Sequence, residues 1–207
     1  MSDQNPMEIN GGAMMAMTGK SCIAIGYDSK IGNNAEFLGK DFERVFRIND
    51  ECYYGLAGMA SDVQTLHSTM KFHSNLYKMK EKRDMDVEAF THMLSHEQYI
   101  KRWSPFYVEG IIAGFDKDGK PRVYGTDIIG DITEPHDFIV AGTCEENLMG
   151  MAETFWRPDL EEEELMHAVA HAMQGALNRD AISGWKLHVT VVTKEHVRTV
   201  VLRSRQD

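Results

Sequence analysis

The chain has 207 residues, 43% of them hydrophobic, and a formal net charge of −10. Its length and composition suit one globular domain with a full core and argue against disorder. The acidic balance argues against a nucleic-acid partner, because phosphate binding needs a basic surface. No apolar run approaches the roughly 20 residues that span a bilayer, so we expect no membrane segment. The polar, acidic start lacks the features of a signal or transit peptide.

The three cysteines, Cys22, Cys52 and Cys144, are far apart and lie in or beside apolar segments. We interpret them as buried free thiols in a reducing compartment rather than a disulfide framework. His167 and His171 have a helical spacing that can bind metal, but no carboxylate completes an HExxH arrangement. The safer interpretation is two polar residues on one side of a helix, and we expect neither a metal nor a cofactor.

The first elements in chain order are two apolar, strand-length runs, Ala13–Met17 and Cys22–Tyr27, around a short polar break. A glycine within such a break predicts a β-hairpin. The polar stretch Ser29–Lys40 is interpreted as a connection. Two further strands are predicted at Arg44–Asn49 and Cys52–Ala57.

The next segment has the pattern of two helices. Ser61 and Gln64 have the spacing of a capping box, so we predict that the first helix begins there and runs to about Lys82. The second is predicted from Asp86 to about Arg102. Strands return at three runs: Val108–Phe115, Arg122–Asp127 and Phe138–Ala141.

A second pair of helices is predicted near the end of the chain. Thr143 and Glu146 have capping-box spacing and open a helix to about Trp156. A longer helix is predicted from Pro158 to about Asn178, with four glutamates in its first turn, where the helix dipole favours them. A last hairpin is predicted from two runs: Lys186–Thr193 and His196–Leu202.

Strands and helices therefore alternate in clusters along the chain. This order predicts an α+β fold in which helices pack on antiparallel sheets. Four short motifs follow one another along the chain: NGGA at Asn10–Ala13, YGLAG at Tyr54–Gly58 followed by SDVQT, GTC at Gly142–Cys144 with a downstream GM, and RDAISG at Arg179–Gly184. In this order and spacing they make the chain resemble one family, the β-type subunits of the 20S proteasome.

The resemblance covers nearly the whole chain from Gly11. It implies a four-layer αββα sandwich of the N-terminal-nucleophile hydrolase type. It also implies a short leader, residues 1–11, followed by a single β-type domain, residues 12–207. In active members a threonine freed by cleavage attacks the peptide carbonyl, and its own amine can act as the base.

The family's catalytic positions map onto this chain with two losses. The nucleophile position is Gly12, which has no side chain, and the lysine position is Arg44, a planar and permanently charged group. The resemblance therefore implies a non-catalytic subunit that retains its leader. The remaining matching positions are Asp28, Gly58, Thr143, Asp180 and Ser183.

The resemblance also implies partners. They would be neighbouring β subunits, an α ring, the opposite β ring and, indirectly, the regulatory particle, in the cytoplasm and nucleus. By the same resemblance, Asp127 and Asp131 would fall in a segment that borders the substrate pocket of the adjacent trypsin-like subunit. Their acids would favour a basic side chain there, or else merely cap the strand end. The alternative function is an active threonine peptidase with a displaced nucleophile.

Overall fold

The computed structural model describes residues 5–34 and 36–204. In chain order the strands are β1 (Ala13–Thr18), β2 (Cys22–Asp28), β3 (Ile31–Asn33), β4 (Glu36–Gly39), β5 (Val45–Arg47), β6 (Cys52–Gly58), β7 (Val108–Phe115), β8 (Pro121–Thr126), β9 (Ile132–Thr133), β10 (Phe138–Gly142), β11 (Lys186–Thr193) and β12 (Val197–Arg203). The helices are α1 (Ala60–Glu81), α2 (Val87–Ile100), α3 (Glu145–Phe155) and α4 (Glu162–Leu177), and a short 3₁₀ turn covers Pro6–Glu8.

Two five-stranded antiparallel sheets form the centre of the fold. The first has the strand order β10-β1-β2-β11-β12, and the second has the order β5-β6-β7-β8-β9. The predicted first hairpin pairs β1 with β2, with Met15 opposite Gly26. The predicted last hairpin pairs β11 with β12. Both hairpins lie in the first sheet, so the two ends of the domain pair side by side through β2 and β11.

Side-chain alternation along the strands creates three apolar layers. In β1, Ala13, Met15 and Met17 join the core under α3 and α4, while Met14 and Ala16 join the core between the sheets. Successive side chains point to opposite faces of a strand, so one fully buried strand can serve two cores. The third core lies between the second sheet and the helices α1 and α2. The four-layer αββα architecture is confirmed.

Both predicted N-terminal capping boxes are wrong. The residue that precedes α1 is Met59, which makes no side-chain cap. The first amide of the helix, that of Ala60, instead donates to the Asn10 side-chain oxygen at 2.8 Å. The residue that precedes α3 is Cys144, again without a side-chain cap. Thr143 directs its hydroxyl to Asp180 rather than to its own helix.

The glutamate-rich helix begins later than predicted. Its N-cap is Glu161, and a capping box joins Glu161 to Glu164, so the acidic run does lie at the positive end of the helix dipole. The connection Ser29–Lys40 contains the small hairpin β3–β4, which its polar sequence did not indicate. All four residues of β4 keep solvent contact, so no apolar alternation marked the strand.

The cysteines are free and buried, as predicted. His167 and His171 lie on the exposed side of α4 with their ring centroids 6.0 Å apart. Among the described residues, no group of three or more His, Cys, Asp or Glu side chains is placed to hold a metal ion. None of the helices in that part of the chain is both long and apolar enough to cross a bilayer.

Candidate functional site

Gly12 lies immediately before β1 and has a backbone φ of +131°, a conformation that side chains rarely adopt. A Cβ atom built on Gly12 would lie 2.3 Å from the Arg44 guanidinium carbon and 2.5 Å from its Nη2. The guanidinium therefore occupies the space into which a side chain at position 12 would extend. A residue larger than glycine fits there only if Arg44 moves.

Arg44 itself is fully buried, immediately before β5. Its Nε donates to the Asp28 carbonyl oxygen at 3.2 Å and lies 3.3 Å from the Asp28 carboxylate. Its Nη2 donates to the Lys30 carbonyl oxygen at 2.5 Å, and the group lies 4.9 Å from the centre of the Phe42 ring. The resemblance placed a lysine at this position in active family members, and the planar guanidinium is a larger group. The missing side chain of Gly12 supplies the room.

Asp28 is the fully buried partner of that arginine at the end of β2. Its carboxylate accepts backbone N–H groups from Ala13 at 2.8 Å, Gly184 at 2.7 Å and Lys30 at 3.3 Å. Burial raises the pKa of the Asp28 carboxyl, while the Arg44 guanidinium and these three donors oppose that shift. Asp28 thus ties the start of β1, the buried arginine and the approach to β11 together.

The remaining polar positions form a second hydrogen-bonded group beside Gly12. Thr143 is hydrogen-bonded directly to Gly12, because its N–H donates to the Gly12 carbonyl oxygen at 2.8 Å. Its hydroxyl donates to Asp180 Oδ2 at 2.7 Å, and the Ser183 hydroxyl donates to the same oxygen at 2.6 Å. One carboxylate therefore holds both hydroxyls.

Gly58 completes the group from the second sheet. It lines a cavity of about 270 Å³ together with Gly12 and Thr143. Four carboxylates also line it: Glu8, Glu109, Glu145 and Glu146. Burial and the neighbouring Glu145 raise the pKa of Glu109. The fold thus brings every predicted family position to one place, and it surrounds that place with acids.

A second cavity of about 150 Å³ shares Glu109 and Glu145 with the first and has Asp127 in its wall. Asp127 Oδ1 accepts the N–H of Ile129 at 2.9 Å and that of Asp131 at 2.7 Å, which closes the turn after β8. Within the described residues, the Asp131 side chain makes neither a hydrogen bond nor an ion pair and is exposed. Asp127 therefore closes the turn through its Oδ1 atom, while its Oδ2 atom takes no part in the turn.

Sequence reasoning missed two residues of this region. Glu109 is the one charged residue in the apolar run of β7, and this interruption was the available signal. Asn10 belongs to the NGGA motif, but its contacts with Gly32 and Ala60 join segments far apart in sequence, so no local pattern marked them.

No activated nucleophile replaces the missing one in the described structure. Burial raises the pKa of the Cys144 thiol to about 12, which keeps it protonated and unreactive. The hydroxyls of Thr143 and Ser183 both donate to a carboxylate, and no described histidine or lysine lines the cavity as a base. The described site therefore combines a glycine at position 12 with two hydroxyls that are both bound to one carboxylate.

The fold and this arrangement define a member of the proteasome subunit family. The family model described as "Proteasome subunit" matches residues 9–192, and the chain belongs to this family. The chain is 41% identical over 208 residues to proteasome subunit beta type-3 of Saccharomyces cerevisiae, covering 100% of both chains. Beta type-3 subunits of Picea mariana and Drosophila melanogaster are 40% and 39% identical, each covering at least 96% of both chains. The resemblance to β-type subunits of the 20S core particle is confirmed.

Proposed function

We propose that this chain is a non-catalytic β subunit that holds a place in the inner ring of the 20S core particle. The observation that carries the proposal is the overlap between Arg44 and the side-chain space of residue 12. A nucleophile is absent from Gly12, and the space it would need is filled by a buried, ion-paired arginine. The positions Asp28, Gly58, Thr143, Asp180 and Ser183 then serve the fold rather than a reaction.

The proposed assembly follows the family architecture. The chain would contact neighbouring β subunits, an α ring and the opposite β ring, and the regulatory particle would be an indirect partner. Proteasome-dependent protein degradation in the cytoplasm and nucleus would be its setting. Residues 1–11 would remain as a leader on a single domain of residues 12–207, because Gly12 offers no hydroxyl for self-cleavage.

An active threonine peptidase with a displaced nucleophile is the competing function. It would need an activated hydroxyl or thiol at the cavity. The buried, protonated Cys144 and the carboxylate-bound Thr143 and Ser183 argue against it. Mass measurement of the intact chain in a natively purified particle separates the two functions. We expect a mass that includes the residues before Gly12, and a chain that begins at Gly12 would contradict a retained leader.

The two acids of the turn after β8 support an indirect role in a neighbour's specificity. Asp127 has one oxygen outside its turn, and the exposed Asp131 side chain makes no ion pair within the described residues. Both could therefore attract a basic substrate side chain in an adjacent subunit. Asparagine at position 127 keeps the oxygen that closes the turn, so Asp127→Asn with Asp131→Asn removes charge while preserving shape.

This double variant tests the pocket proposal in the assembled particle. We expect slower cleavage after Arg and Lys, with unchanged cleavage after apolar residues. Asp118→Asn is the matched control, because Asp118 is an exposed turn aspartate at a different strand connection. Equal rates after basic residues in the double variant and the control would refute the contribution of Asp127 and Asp131.

A further inference from the structure

The free edge of the small β3–β4 hairpin is occupied by the residues that precede Gly12. β3 pairs with β4 along one edge only. Along the other edge, the Gly32 N–H donates to the Asn10 carbonyl oxygen at 3.1 Å and the Asn34 N–H donates to the Ile9 carbonyl oxygen at 2.7 Å. Two residues of the leader thus satisfy backbone donors that an edge strand would otherwise expose.

The Asn10 side chain joins this edge to the start of α1. Its Nδ2 donates to the Gly32 carbonyl oxygen at 2.8 Å, and its Oδ1 accepts the Ala60 N–H at 2.8 Å. Because Met59 supplies no side-chain cap, Asn10 serves as the cap from a distant part of the chain. One amide side chain therefore fastens the leader both to β3 and to the start of α1.

The same segment covers the cavity in front of Gly12. Asn5, Met7 and Glu8 line that cavity together with Gly58 and Thr143. Gly11 then turns the chain into β1 with φ +67°, and a Cβ there would lie 2.3 Å from the Ile182 carbonyl oxygen. Gly11 therefore fixes the direction in which the leader approaches Gly12, because a side chain at position 11 would clash with the Ile182 backbone.

We propose that residues 5–11 form a permanent strap that hydrogen-bonds to the edge of β3, caps α1 and lines the cavity in front of Gly12 with the chain's own residues. The N–H groups along this edge of β3 would offer an extended peptide the hydrogen bonds of an added strand, and the leader already accepts them. Peptides in the particle are thereby kept out of this subunit's cleft, and Asn10 is the positioning residue that holds the strap.

This inference does not rest on the proposed loss of catalysis. A chain that begins at Gly12 would have lost the strap through processing, and mass measurement reports this directly. An intact chain in which the amides of Gly32, Asn34 and Ala60 exchange freely would instead contradict the strap alone. The two failures are therefore distinguishable in one sample.

Hydrogen exchange with mass spectrometry on the assembled particle tests the strap at its two attachment points, residues 31–34 and 59–63. Asn10→Ala should speed exchange in both segments by about tenfold, since it removes two side-chain hydrogen bonds. Asn5→Ala is the matched control, because the Asn5 side chain hydrogen-bonds to Met7 and Glu8 and, among residues 5–34 and 36–204, to neither attachment point. It should leave both segments unchanged.

Asn10→Asp separates the two attachments. Its carboxylate can still accept the Ala60 N–H and is favoured at a helix N-terminus, so residues 59–63 should stay protected. It cannot donate to the Gly32 carbonyl oxygen, so residues 31–34 should exchange faster. If Asn10→Ala fails to enter the particle, this milder variant decides. Wild-type exchange in both segments of the Asn10 variants that assemble would overturn the proposal.

Discussion

The fit between Gly12 and Arg44 can be tested by a double-mutant cycle. Gly12→Ala places a Cβ 2.3 Å from the guanidinium carbon at a backbone φ of +131°. Overpacking of a tight core costs about 1–3 kcal/mol, and a side chain held at such a φ costs a further 1–3 kcal/mol, approximately. We therefore expect Gly12→Ala to destabilise the subunit by about 3 kcal/mol.

Arg44→Lys should rescue part of that loss. Lysine keeps the charge that pairs with Asp28 but lacks the planar group that overlaps the Cβ position. The double variant should then be more stable than the two single effects predict, by about 1–3 kcal/mol. This coupling would show that the two positions share one space.

The assay is heating of the purified particle, followed by mass spectrometric measurement of how much of each subunit stays folded and soluble. For a domain of this size, 3 kcal/mol corresponds to a fall of about 6–12 °C in the unfolding temperature. Gly26→Ala with Arg44→Lys is the control cycle, because Gly26 contacts Met173 and Val169 rather than Arg44. Strictly additive effects of Gly12→Ala and Arg44→Lys would refute the shared space.

Three further predictions concern the polar groups around the site and a histidine of α1. Asp28→Asn should lower the free energy of unfolding by about 3–5 kcal/mol, because it leaves the buried Arg44 charge without its counter-charge. The same heating assay measures this loss, and an unchanged unfolding temperature would contradict the ion pair's role. Asp180→Ala should lower the free energy of unfolding by about 2 kcal/mol, since the Thr143 and Ser183 hydroxyls both lose their acceptor. The control Asp131→Ala removes an exposed carboxylate and should change the free energy of unfolding by less than about 0.5 kcal/mol. Burial and the nearby Lys71 lower the pKa of His67 below 6.5, and Glu43 opposes that shift. The contribution of His67 to stability is therefore complete above pH 6.5 and declines as the pH falls below 6.5. His67→Gln should lessen that decline in a series of unfolding temperatures against pH, and an unaltered pH profile would show that His67 does not cause it.

Most of the fold could be predicted from local patterns. Apolar runs of strand length marked β1, β2, β7 and β11, because each strand is buried and bounded by polar turns. The short strands β3, β4 and β9 were missed, since each carries exposed residues and is too short to show an apolar alternation. Strand signals weaken where a strand lies at the edge of the fold and little of it needs to be apolar.

The failed capping boxes show where local reasoning ends. Ser61 and Thr143 had the capping-box spacing to Gln64 and Glu146, but neither α1 nor α3 has a side-chain cap from the residue that precedes it. Asn10 lies 50 residues from the amide it caps, and Asp180 lies 37 residues from the hydroxyl it binds. Only the folded chain brings such partners together, so spacing along the sequence could not reveal them.

The candidate site divides in the same way. Motif positions identified Gly12 and Arg44 as the two departures from an active enzyme. They could not show that the guanidinium fills the space beside Gly12, which depends on the meeting of two sheets. The acidic wall formed by Glu109 and Glu145 was likewise invisible, because these residues come from β7 and α3.

Covalent labelling of the purified particle tests the central claim most directly. A peptide vinyl sulfone forms a covalent bond with an activated nucleophile in a protease site. Under conditions that label catalytic β subunits fully, we predict no adduct on this chain, whose mass should stay that of the unmodified protein with its leader. An adduct on Thr143, Cys144, Ser183 or a new N-terminal residue of this chain would contradict its assignment as a non-catalytic subunit.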